Sequence, residues 1–169
     1  MERDTEFRAF VASSRGRLLR TARLLAGGDA HWAEDLVQTA LTRLYVHWDK
    51  VRSDDGPARY TDRILVNVFL DERRRLWRHR ETSTAELRDA NPAREPDQAD
   101  RLTVLAALAA LPKGQRATVV LRYFRDLDVA TVAQLMGCSE GTVKSQTARG
   151  LAAMRNLIED PIEIVGSAS

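Results

Sequence analysis

The stretch Val129-Ala130-Thr131-Val132-Ala133-Gln134-Leu135-Met136-Gly137-Cys138-Ser139-Glu140-Gly141-Thr142-Val143-Lys144-Ser145-Gln146 reads as two helices around a three-residue turn, Gly137-Cys138-Ser139. Ala133, Gly137 and Val143 have the spacing of a DNA-binding helix-turn-helix. A small side chain at 133 lets the helices cross closely, Gly137 can turn left-handed, and Val143 anchors the second helix from beneath. Ser139 with Thr142 forms an N-cap for a helix running to about Ile158. The outer face of that helix then carries Glu140, Thr142, Lys144, Ser145, Gln146, Ala148 and Arg149. Polar residues at the start of such a helix meet base edges in the major groove, and basic ones meet phosphates. Lys144, Ser145 and Gln146 are the base-reading candidates. The same pattern also fits a helical domain whose outer face is only solvated, so the motif needs support from the rest of the chain.

Immediately upstream, Leu102, Leu105, Leu108 and Leu111 recur at helical spacing. The pattern stops before Pro112 and resumes from Lys113 through Val119, Val120, Tyr123 and Phe124. Further back, residues 81–99 are poor in apolar side chains and hold Asn91-Pro92 and Glu95-Pro96, which forbid a continuous helix; this stretch is expected to be a flexible linker. The second domain is therefore expected over 100–160, and 161–169 is expected to be a mobile tail.

The first 80 residues hold three more helical patterns. The first, about Asp4 to Ala26, aligns Phe7, Phe10, Val11, Leu18, Leu19, Ala22 and Leu25 before Gly27-Gly28-Asp29 breaks it. The second, about Ala30 to Val51, aligns Trp32, Leu36, Val37, Ala40, Leu41, Leu44 and Trp48. Ser53-Asp54-Asp55-Gly56-Pro57 then forms a loop, with Pro57 suited to a helix start. The third, about Ala58 to Arg80, begins with Ile64, Leu65, Val68 and Phe69 and ends in the basic run Arg73-Arg74-Arg75-Leu76-Trp77-Arg78-His79-Arg80. The fold class is all-α, with two small helical domains joined by the linker.

Composition narrows the function classes. The chain of 169 residues has 26 Lys and Arg against 24 Asp and Glu, a net +2, so any nucleic-acid binding must rest on local clusters. The single cysteine, Cys138, cannot form an internal disulfide, and no apolar run approaches the roughly 20 residues of a membrane span. A cytoplasmic protein with no membrane partner is expected. His31, His47 and His79 are isolated, no P-loop or nucleophile–base pattern occurs, and no enzyme activity, cofactor or metal is expected.

Taken together, Asp35-Leu36-Val37-Gln38, Arg63-Ile64-Leu65-Val66-Asn67, Asp71-Glu72-Arg73-Arg74-Arg75, Leu111-Pro112 and Glu140-Gly141-Thr142-Val143-Lys144-Ser145 resemble the extracytoplasmic-function (ECF) sigma factors of bacterial RNA polymerase, in the family's order and across both domains. The run Gln146-Thr147-Ala148-Arg149-Gly150-Leu151 is similar to an actinobacterial SigE-like subgroup.

The resemblance implies a protein that binds core RNA polymerase and directs it to promoter DNA. It places polymerase binding on Asp35, Gln38 and Thr42, a polar stripe at i, i+3 and i+7 opposite the apolar face of the second helix. Thr39 stands where many relatives are acidic. It places capture of the melted −10 strand on Arg63, Asn67, Asp71, Arg74 and Arg75, where arginines would follow phosphate and an amide would read an exposed base edge. It places reading of the −35 duplex on Glu140, Thr142, Lys144, Ser145, Gln146 and Arg149. Residues 81–99 would lie near the RNA-exit path, with Asp89, Glu95 and Asp97 as acidic members. An anti-sigma protein is a further partner that the family implies, although no residue pattern identifies one.

A stand-alone DNA-binding regulator remains a rival reading. It would need neither the Asp35–Gln38 stripe nor the basic third helix.

Overall fold

The computed structural model describes residues 1–52, 56–71 and 96–159, with side chains described from residue 100 onward in the last of these stretches. Every element among them is helical: α1 (Glu2–Leu25), α2 (Ala30–Val51), α3 (Pro57–Leu70), α4 (Pro96–Ala110), α5 (Lys113–Val119) running into a π-helical turn (Val120–Phe124), α6 (Val129–Met136) and α7 (Glu140–Glu159). The all-α, two-domain expectation holds.

The first domain follows from local chemistry. Asp29 caps α2 by accepting from the Trp32 amide at 3.0 Å. Proline at the first position of α3 loses no bond, because that amide has no intrahelical partner. Leu18, Ala22 and Leu25 of α1 pack with Leu36, Val37, Ala40 and Leu44 of α2 and with Leu65 and Phe69 of α3. Phe7 and Phe10 close the far end against Trp48, at ring-centroid distances of 5.3 and 5.5 Å.

In the second domain, α5 and α7 cross at Gly150. A Cβ added there would stand 2.7 Å from Val119 Cγ2, so only glycine permits this approach. Between α6 and α7 the three helix-turn-helix positions do what their spacing predicts. Ala133 is 7% exposed at the crossing, Val143 is fully buried, and Gly137 caps α6 at φ 66°, ψ 37°.

Three expectations need correction. The third helix ends at Leu70 rather than running unbroken to Arg80, because Asp71 leaves helical geometry, extended at φ −76°, ψ 95°. Residues 72–80 lie outside the described stretches. Tyr123 and Phe124 are exposed rather than buried, because the π winding widens the turn and carries them off the face that holds Val119 and Val120. Leu102 is likewise exposed, since α4 begins at Pro96, inside the stretch read as linker, and touches the core mainly through its last two turns.

The two domains are in direct contact. One continuous apolar cluster runs from Leu18, Leu25 and Phe69 to Leu108, Leu111, Val119 and Val120. A second joins Val66 of α3 to Leu121, Val132, Ala133, Leu135 and Val143. Gly27, left-handed at φ 63°, lets the α1–α2 loop rest on α4, where a Cβ would come 2.6 Å from the Ala109 Cβ.

Candidate nucleic-acid interface

Three polar faces correspond to the sites read from the sequence. On α2, Asp35, Gln38 and Thr42 are all exposed on the side opposite Leu36, Val37, Ala40 and Leu44. The Thr42 hydroxyl donates back to the Gln38 carbonyl at 2.8 Å, leaving its oxygen lone pairs and the Gln38 side-chain amide for a partner.

On α3, Arg63 and Asn67 are exposed and one turn apart, while Ile64, Leu65, Val66 and Val68 are buried. Arg59, one turn earlier, extends the same row. Asp71 lies just past the helix end, half-buried, and Arg74 and Arg75 lie outside the described residues. The resemblance also implies that the loop from about Lys50 to Arg59 contributes to base choice, and Lys50 and Arg59 line, with Arg63, a cleft of about 660 Å³ at the α2–α3 loop; His47 and Tyr60, which the sequence reading missed, line it too. Their signal was weak, because they come from the end of one helix and the start of the next. Gln134 and Leu135 of α6 complete that cleft, and Arg59 donates to the Gln134 side-chain oxygen.

On α7, the Ser139 hydroxyl accepts from the Thr142 amide at 3.1 Å and bonds the Thr142 hydroxyl at 2.9 Å. Capping in this way fixes the first turn of the recognition helix. Glu140, Thr142, Lys144, Ser145 and Arg149 are exposed. Gln146 is half-buried instead, its side-chain amide turned over Gly114 of α5. Ser145 donates to the Thr142 carbonyl at 3.1 Å, leaving its lone pairs for an incoming donor.

Among the described residues no group of His, Cys, Asp and Glu could hold a metal ion, and no helix is long and apolar enough to cross a membrane.

Comparison with known proteins matches residues 10–79 to Sigma-70 region 2 and residues 101–154 to Sigma-70, region 4. The RNA polymerase sigma-E factor of Streptomyces avermitilis is 37% identical over 158 residues, covering 91% of this chain and 86% of that protein. The chain belongs to the extracytoplasmic-function sigma factors. ECF RNA polymerase sigma factor SigL of Mycobacterium tuberculosis is 33% identical, covering 79% of this chain and 78% of that protein. Among solved structures, the sigma factor RpoE of Bartonella quintana, in complex with the anti-sigma factor NepR, superposes with a TM-score of 0.70 at 25% identity, over 91% of this chain and 97% of that one. CnrH, in complex with the cytosolic domain of CnrY, shares the fold at TM-score 0.65 over 92% of this chain and 89% of that one. As an ECF sigma factor the chain serves promoter-specific transcription, and its family is one of DNA-binding regulators rather than catalysts.

Proposed function

We propose that the first domain docks on core RNA polymerase through Asp35, Gln38 and Thr42 and captures the melted −10 strand along Arg63, Asn67 and Asp71. Arg74 and Arg75, just beyond α3, belong to the same −10 site. The second domain reads the −35 duplex with Glu140, Thr142, Lys144, Ser145, Gln146 and Arg149, with Lys144 and Ser145 leading.

The observation that carries this reading is the pairing of two separate polar faces on one chain: an exposed Arg59–Arg63–Asn67 row on α3 and a capped, exposed recognition helix α7. Arginine rows follow phosphate, and a helix start presents side chains to base edges. An anti-sigma protein is a further proposed partner, in keeping with the complex in which RpoE was solved.

Run-off transcription with purified core polymerase tests the docking. Promoter-specific transcripts should require this protein and fall with the Asp35→Ala, Gln38→Ala double variant. Duplex binding with no transcripts and no polymerase association would favour the stand-alone regulator instead.

A further inference from the structure

Asp62 lies on α3 beside the −10 row, yet it points into the seam between the domains, its side chain 13% exposed. Arg125, from the turn after the π helix, grips it with two nitrogens, Nη2 to Oδ2 at 2.9 Å and Nη1 to Oδ1 at 3.2 Å. Arg17 of α1 donates to the same Oδ1 at 2.8 Å. Arg125 also donates to the Thr21 hydroxyl at 3.1 Å. One carboxylate thus bridges two guanidinium groups that come from different domains.

We propose that Asp62 is the latch of a self-closed state, in which one free chain holds its two promoter-reading faces too close together to engage one promoter. The functional consequence rests on the reading given under Proposed function; the latch itself does not.

Distance supplies the first argument. Elements at −10 and −35 lie about 25 base pairs apart, roughly 85 Å of duplex at 3.4 Å per pair. In the closed chain α3 and α6 share one apolar cluster, and Arg59 of the −10 row is bonded to Gln134 of the helix-turn-helix. The domains must part before both elements can be reached.

Occlusion supplies the second. Gln134 and Leu135 form one wall of the cleft that Lys50, Arg59, Tyr60 and Arg63 present. A strand entering there must displace α6.

The seat of Arg125 supplies the third. The π turn and a left-handed Asp126, at φ 52°, aim its guanidinium at Asp62. The turn is pinned on both sides: the Arg125 amide donates to the Val120 carbonyl at 3.0 Å, and the Leu127 amide donates to the Leu121 carbonyl at 3.1 Å. A non-glycine residue in the left-handed region and a π winding are both uncommon, and here they adjoin. Apolar burial along the seam provides the bulk of the contact, while Asp62 sets its balance. Without the carboxylate, Arg17 and Arg125 face each other as like charges, so closure changes from attracted to repelled.

Thiol accessibility at position 66 measures opening directly, because Val66 is 1% exposed and covered by second-domain residues. In a Cys138→Ser, Val66→Cys background, labelling by a thiol reagent proceeds in proportion to the open fraction. Asp62→Asn should raise the labelling rate about tenfold, as should Arg125→Gln, and the double variant should gain little more than either alone. Ala40→Cys, fully buried within the first domain, serves as the unfolding control in the Cys138→Ser background. Unchanged labelling at 66 in both variants would overturn the latch. An equal rise in the Ala40→Cys control would also overturn it, because the effect would then be loss of fold rather than opening. If labelling at 66 alone rises while no variant supports run-off transcription, the promoter reading fails and the latch stands.

Discussion

Arg116 Nη1 donates a 2.9 Å hydrogen bond to the carbonyl oxygen of Leu25, a residue 91 positions earlier at the end of α1. Its Nη2 donates to the Ala109 and Leu111 carbonyls at 2.9 and 3.0 Å. A guanidinium that is 3% exposed therefore satisfies the open C-terminal ends of two helices, one from each domain.

Replacing it should be costly. Arg116→Met keeps the aliphatic stem but leaves three carbonyls without this donor, and a loss of about 3 kcal/mol is expected. Arg116→Lys keeps the charge without the fork and should lose less. Urea unfolding at neutral pH compares the three proteins, and a loss under about 0.5 kcal/mol for Arg116→Met would show that water replaces the guanidinium without penalty.

Glycines 150 and 141 should respond in opposite directions on the same helix. At Gly150 an added methyl meets Val119 Cγ2 at 2.7 Å and the Gln115 carbonyl at 3.3 Å, so Gly150→Ala should cost about 1–3 kcal/mol despite its better helix propensity. At Gly141 the nearest atom is Ser139 Oγ at 3.8 Å, and Gly141→Ala should gain up to about 1 kcal/mol. Thermal unfolding distinguishes the two.

Asp128 caps α6 by accepting from the Thr131 amide at 2.7 Å. That bond, together with the Thr131 side chain, holds its carboxyl below the ordinary carboxylate range, and Arg122 and Arg59 add to the effect. A lowered folded-state pKa means that the contribution is fully present above the unfolded-state value and is lost as pH falls through the folded one. Asparagine also caps but does not titrate. Between about pH 5 and pH 2.5, Asp128→Asn should therefore lose less stability than the wild type. Parallel curves would contradict this.

Base reading and phosphate binding on α7 should separate by mutation. Lys144→Ala should weaken −35 binding by about 1–3 kcal/mol and relax preference at one base pair, whereas Arg149→Ala should weaken all sequences alike and flatten the salt dependence. Titrations on a panel of single-base variants at two salt concentrations give the answer. Equal losses on every sequence for Lys144→Ala would move it to the phosphate class.

The sequence by itself determined whatever depends on neighbours within a few positions. The α2 bounds, Ala30–Val51, follow from the Asp29 cap and an uninterrupted apolar stripe. The helix-turn-helix follows from Ala133, Gly137, the Ser139 cap and Val143, each of which acts within about one turn. The exposed rows of α2, α3 and α7 follow because burying one face of a helix exposes the other. Gln146 departs from its row, turned over Gly114 of a different helix.

Only the tertiary structure decided how the domains sit. Asp62 meets Arg17 and Arg125 across 45 and 63 residues, and Arg116 meets Leu25 across 91. Such pairs leave no periodicity and no cap for a sequence to display. The residues around Arg116 carry no sign of it either, since Lys113-Gly114-Gln115-Arg116 reads as a polar helix start, yet Arg116, Ala117, Thr118 and Val119 are all buried. A buried guanidinium must find acceptors, but the acceptors here are backbone carbonyls, and every residue type carries one. Which carbonyls they are depends on how two helix ends pack, and packing is a property of the folded whole.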